Sequence, residues 1–150
     1  LELNIQTISL LILNKLLQLN LSAPLVLKSK KYISGALMIK QIKSSEIKKY
    51  IEENPNTVVL DVRTKEELDS VGRIDAEGLG SKTFHVVVSP DLGNWQVPDP
   101  NFVENIKKEI KKENPILVSC AAGARSLIAA NLLEQEGYTA LNISDGFSGN

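Results

Sequence analysis

The sequence predicts an α/β protein, with a mostly parallel five-stranded sheet flanked by helices on both faces. Three observations lead there. Short, wholly apolar runs such as Val58-Val-Leu and Ile116-Leu-Val are what strands covered on both sides require. Between them lie segments whose apolar residues return at helical spacing. Strands and helices alternate along the chain, which implies right-handed crossovers and parallel pairing.

Leu37–Ile39 is expected as a short first strand. Residues Ser44 to Asn54 follow as a helix with Ile47, Tyr50 and Ile51 on one face, and Pro55 lies just past its end. Thr57–Val62 is the next strand. Thr64-Lys-Glu-Glu67 has the spacing of a capping box, in which hydroxyl and carboxylate each satisfy an unpaired N–H, and it should start a short helix through Val71. Residues 72–98 are rich in Gly and Pro and read mainly as loop, with a strand at Thr83–Val88. Pro100 opens a helix predicted to run to Lys112, carrying Phe102, Val103, Ile106 and Ile110. Ile116–Ser119 is a buried strand. Arg125–Glu136 is a helix ended by Gly137 as a left-handed cap. Ala140–Ile143 is the last strand.

Composition bounds the function. The chain has 150 residues, 43% hydrophobic and 23% charged, which suits one ordinary globular domain. A net charge of -1 gives no basis for nucleic-acid binding. With one Cys and one His far apart, no intrachain disulfide can form and a structural zinc site is not expected. Residues 1–37 stand apart: they hold a single acid, Glu2, and a leucine-rich stretch from Ile5 to Leu21. Asn14, Lys15, Gln18 and Asn20 break that stretch, so it makes a poor membrane span. Met38 is the only Met, and it predicts a native start, with 1–37 as a leader or amino-terminal extension and 38–150 as the domain. An extra helix packed on the domain is the alternative reading.

The chemistry concentrates in Ile116-Leu-Val-Ser-Cys-Ala-Ala-Gly-Ala-Arg-Ser126. In parallel sheets ligands bind beyond the carboxyl ends of strands, and Cys120 falls at that place, with a helix starting just after it. The amides of Ala121, Ala122, Gly123, Ala124 and Arg125 are expected to curl around one point. Small side chains let the backbone approach closely, and Gly123 permits positive φ. The helix start adds its dipole and unpaired N–H groups, and Arg125 adds a cation. Such a bowl stabilises a sulfur anion and so favours Cys120 as a nucleophile without a separate base. Ser126 is expected to hydrogen-bond at the helix start. The alternative for Cys120 is a small buried hydrophobe at a strand end.

Cys120-Ala-Ala-Gly-Ala-Arg125-Ser126 resembles the rhodanese active-site loop, Cys-x-x-Gly-x-Arg-Ser. Val58-Val-Leu-Asp-Val-Arg63 followed by Glu66-Glu67 is similar to that family's upstream motif, and Asn142-Ile-Ser-Asp-Gly-Phe147 to its closing segment. The resemblance covers residues 38–150. It implies a rhodanese-like fold and a sulfurtransferase cycle. Cys120 would take sulfur from a sulfane-sulfur donor (thiosulfate, polysulfide or a protein persulfide), hold it as a persulfide, and yield it to a thiol or cyanide. Asp61 is implied to anchor the loop by hydrogen bonds and Arg63 to make a structural ion pair. Asp145 is either part of the rim or a plain turn residue. No metal or organic cofactor is implied, and a cytoplasmic location is expected. A binding or regulatory module with little turnover is the alternative. Rhodanese-fold phosphatases and arsenate reductases are similar but place one more residue between Cys and Arg than the four here, Ala121 to Ala124.

The chain departs from the pattern in ways that bear on the donor. Thiosulfate-active relatives often carry Arg or Lys directly after the Cys, where this chain has Ala121. Fewer cations at the rim should weaken binding of dianionic thiosulfate and favour a persulfide or polysulfide donor. The usual Gly-His-Ile-x-Gly-Ala element is replaced by Gly72-Arg-Ile-Asp-Ala76. His85 is expected to be packed or at the surface, and Trp95 to cover the core or shape the mouth of the pocket. The runs Lys48-Lys49, Lys107-Lys108 and Lys111-Lys112 read as solvated faces.

Overall fold

The computed structural model describes residues 38–147, and the expected leader or extension therefore lies outside the described residues. Five strands form a single sheet: β1 (Gln41–Ile42), β2 (Val58–Asp61), β3 (Thr83–His85), β4 (Ile116–Ser119) and β5 (Ala140–Ile143). Their order is β1-β5-β4-β2-β3, and every pairing is parallel. Helices α1 (Ile47–Glu53), α2 (Lys65–Val71), α3 (Phe102–Glu109) and α4 (Ala124–Gln135) connect them.

The alternation of the pleat divides the central strands between two cores. Val59, Leu117, Leu141 and Ile143 join Ile42 and the α1 residues Ile47 and Ile51 in one cluster. Leu60 and Val118 point the other way, and they too are fully buried. Helix α2 begins as the sequence predicts. The Thr64 hydroxyl accepts from the Glu67 N–H, and the Glu67 carboxylate accepts from the Thr64 N–H.

Several boundaries differ from the sequence reading, each for a local reason. The first strand is Gln41–Ile42 rather than Leu37–Ile39, because Ile42 is the residue that reaches the core cluster while pairing with β5. Helix α1 is preceded by a 3-10 turn at Ser44–Glu46. Strand β3 stops at His85, although single backbone bonds from Val86 to Asp61 and from Val88 to Val62 continue its direction. Helix α3 ends at Glu109: Ile110 is extended, yet its side chain stays in the core. Gly137 has φ 97°, the left-handed conformation expected after α4.

Arg63, with about 1% exposure, is the largest fully buried side chain among the described residues and knots three segments together. Its guanidinium donates to both Asp61 oxygens, with the shortest contact at 2.7 Å, and to the Gly72 carbonyl at 2.9 Å. The Phe147 ring lies 4.1 Å from the guanidinium carbon, a cation–π contact. The end of β2, the end of α2 and the closing turn therefore share one charged group. Removing one member of a buried pair leaves the other charge uncompensated, at a cost of about 3–5 kcal/mol. Arg63→Met should lose about that much in urea unfolding. Lys107→Ala, which breaks exposed pairs with Glu104 and Glu136, should leave the urea midpoint nearly unchanged.

Candidate active site

Strand β4 delivers Cys120 to the carboxyl edge of the sheet, between the ends of β2 and β5. The chain then turns through Ala121, Ala122 and Gly123 before α4 begins at Ala124. Gly123 has φ 94°, so its N–H turns back and donates to the Cys120 Sγ at 3.1 Å. The Ser126 Oγ, one turn into the helix, sits 3.2 Å from the same sulfur. Among the described residues these are the hydrogen-bond contacts of Sγ. The bowl expected from residues 121–125 thus narrows to one backbone amide and a hydroxyl. Ala122 and Ala124 are exposed and Ala121 is half-buried.

The thiol itself lies below the loop, with Cys120 about 1% exposed. The sulfur is closed off in this conformation, whereas an open bowl was expected. The physical reason is the close packing of the loop on the turn after β5. The Phe147 N–H donates to the Cys120 carbonyl at 2.8 Å, and the Asn142 side-chain amide donates to the Gly123 carbonyl at 3.0 Å. A Cβ on Gly123 would stand 2.3 Å from the Ser144 carbonyl oxygen, and one on Gly146 2.5 Å from that of Ala121. Only glycine permits either approach.

Arg125 is buried at the start of α4, and its guanidinium is clamped on Glu67 by two parallel bonds of 2.7 Å. This two-pronged geometry is the strong form of the Arg–carboxylate pair. The Arg125 bond, opposed by partial burial and assisted by Thr64, holds the Glu67 carboxyl at about 2 against an ordinary 4.5. Arg125 is correspondingly raised, first by its bond to Glu67, against the opposing effect of burial. The charge of Glu67 and then that of Cys120 add smaller contributions. The cation expected to serve the sulfur is therefore held by a carboxylate. In the sequence Glu67 was visible as a helix cap and within the upstream motif, with nothing to mark Arg125 as its partner. A pair spanning 58 positions leaves no local signal.

The supporting residues divide. Arg63 makes its ion pair, as expected, with Asp61. The Asp61 carboxylate bonds Arg63 in place of the loop, accepting from the Arg63 N–H at 3.1 Å as well as from its guanidinium. Asp145 stands in the turn after β5, the second of its two expected roles. Its carboxylate accepts from the Ser44 N–H at 2.9 Å and from the Ser44 hydroxyl at 2.6 Å, tying the last turn to the first. His85 is half-buried, with Nε2 2.7 Å from the Arg63 carbonyl oxygen. Among the described residues no cluster of three or more His, Cys, Asp or Glu side chains could hold a metal, and no helix is long and apolar enough to cross a membrane.

A wholly parallel sheet with a cysteine at a strand end, facing the start of a helix through a glycine-shaped loop, defines the class: an α/β protein built around one sulfur. Residues 43–149 match the Rhodanese-like domain family, and the chain belongs to it. Over 115 residues it is 36% identical to an uncharacterized protein of Rickettsia prowazekii, covering 76% of this chain and 88% of that one. A senescence-associated protein of Raphanus sativus is 30% identical over 89 residues, 59% of this chain and 45% of its own length. Among solved structures, a protein of M. tuberculosis superposes with TM-score 0.63 at 29% identity, over 72% of this chain and 79% of that one. The polysulfide-sulfur transferase homodimer of Wolinella succinogenes shares the fold, with TM-score 0.58 at 20% identity over 80% and 78% of the two chains.

Two outcomes are expected. Gly123→Ala combines a strained φ with a backbone clash, and should destabilise the domain by more than about 2 kcal/mol in urea unfolding. The second concerns acid. Because Glu67 is depressed in the folded state, its contribution is complete above about 4.5 and is lost as pH falls towards 2. It amounts to roughly 2–3 kcal/mol. The stability gap between wild type and Glu67→Gln should therefore shrink steadily from pH 5 to pH 2.

Proposed function

We propose that this domain is a sulfurtransferase that carries sulfane sulfur as a persulfide on Cys120. One observation carries the reading. The lone thiol sits where β4 ends and α4 begins, with the Gly123 N–H donating to its sulfur at 3.1 Å. A donor N–H at a helix start stabilises negative charge on the attacking atom and, after transfer, on the group it holds. Ser126, 3.2 Å away, either donates to that charge or accepts from the thiol.

In the loading step the ionised Cys120 sulfur attacks the outer sulfur of the donor. A new S–S bond forms, the donor's S–S bond breaks, and the leaving group departs with the electron pair. From thiosulfate the leaving group is sulfite; from an organic persulfide it is a thiolate. In the unloading step an acceptor thiolate or cyanide attacks the outer sulfur of the Cys120 persulfide and releases the Cys120 thiolate. The atoms and charges balance without a cofactor. The family membership and the fold shared with a polysulfide-sulfur transferase support this chemistry.

A second reading, a rhodanese-like binding or regulatory module with little turnover, is favoured by the burial of Cys120. Under the first reading the loop must open for each transfer. A phosphatase-like activity has less support, because a tetrahedral oxyanion needs several converging donors and a single amide is aimed at the sulfur.

Intact mass after incubation with thiosulfate or polysulfide separates the two. The carrier reading expects a gain of one sulfur mass on the wild type, absent from Cys120→Ala and reversed by cyanide or a thiol. No gain on the wild type with either donor would leave the binding module as the reading.

A further inference from the structure

The arginines that the fold brings to the loop and its floor already hold carboxylates. Arg125 is bound through two 2.7 Å contacts to Glu67, and Arg63 through a 2.7 Å contact to Asp61. The loop itself contributes Ala121, Ala122, Gly123 and Ala124, none of them charged. Glu67 cannot swing aside at low cost. Its Oε2 also accepts from the Thr64 N–H at 2.9 Å and the Thr64 hydroxyl at 3.1 Å, so releasing Arg125 would also strip the cap from α2. The pair is largely shielded, with side chains 10% and 21% exposed, so solvent screens it only in part. Because Glu67 titrates near 2, it stays ionised wherever thiolate chemistry runs.

A dianionic donor suffers most from this arrangement. Attack on thiosulfate brings three negative charges together as sulfite leaves, and a free guanidinium beside the sulfur would offset much of that repulsion. Attack on an organic persulfide, R–S–SH, carries one negative charge: the terminal sulfur moves to Cys120 with its proton, and the R–S thiolate leaves with the electron pair.

We infer that Glu67 is a specificity-determining residue, holding Arg125 in its ion pair so that the site takes sulfur from organic persulfides in preference to dianionic donors. The inference rests on the sulfur-carrier reading. It assigns donor choice to a residue that touches neither the donor nor the sulfur, so Glu67 acts through Arg125 as a positioning residue.

The test compares loading of Cys120 by β-mercaptoethanol persulfide and by thiosulfate, followed by rapid-quench intact mass on the full chain. Wild type should load faster from the alkyl persulfide. In Glu67→Gln, which retains a capping-competent side chain, the thiosulfate-to-persulfide ratio of loading efficiencies should rise on the order of tenfold, equivalent to about 1.4 kcal/mol. The thiosulfate rate should also become steeper in ionic strength, which a purely structural role of Glu67 would not produce. Ala122→Lys places a cation on the exposed part of the loop without touching the pair and should raise the same ratio, which calibrates the response to added charge; Glu67→Asp, whose shorter side chain loosens the grip on Arg125, should raise it too and carries the test if Glu67→Gln fails to fold. If the wild type loads from the alkyl persulfide and the ratio stays unchanged in the folded variants, the role of Glu67 is overturned while the carrier reading stands. Loading from neither donor would overturn both.

Discussion

The site depends on two backbone segments that approach more closely than any side chain allows. The loop after β4 lies against the turn after β5, with Gly123 facing the Ser144 carbonyl and Gly146 facing that of Ala121. This contact sets the left-handed turn at Gly123, and that turn points an amide at the sulfur. The Phe147 N–H and the Asn142 amide then fasten the loop from the same side. Packing that tight also hides the thiol. The geometry that gives Cys120 a hydrogen-bond donor is therefore the geometry that limits access to it.

Charge is arranged with similar economy around the loop. Arg63 and Arg125 are both buried, and each is held by a carboxylate that reaches it from β2 or α2. Buried ion pairs of this kind add little net stability over apolar packing, but they fix the positions of the elements they join. Here they join the end of β2, both ends of α2, the start of α4 and the closing turn. What the loop itself turns to solvent is the uncharged alanine surface of Ala122 and Ala124.

The fold was largely legible because its signals are local. The continuous apolar runs Val58-Val-Leu and Ile116-Leu-Val became the central strands, and Thr64 and Glu67 formed the predicted capping box. The site was less legible. Asp61 was expected to anchor the loop, and Asp145 either to line the rim or to serve as a turn residue; their carboxylates bond Arg63 and Ser44. Arg125 was expected to face the sulfur as an available cation and is clamped on Glu67. Each of these partnerships was decided by which neighbours a side chain meets, and neighbours distant in sequence leave no mark on the period or spacing of residues.

By itself the sequence determined the alternation of strands and helices, the end of β4 as the location of the lone thiol, and the need for glycine in the loop that follows. These depend on burial, periodicity and backbone sterics, which act over a few residues. The tertiary structure alone decided how many amides reach the sulfur, how deeply it is buried, and whether its nearby cation is free. Those properties arise only when β2, β4, β5 and the helix starts are brought side by side, because charge pairing and solvent access are set by distances across the fold.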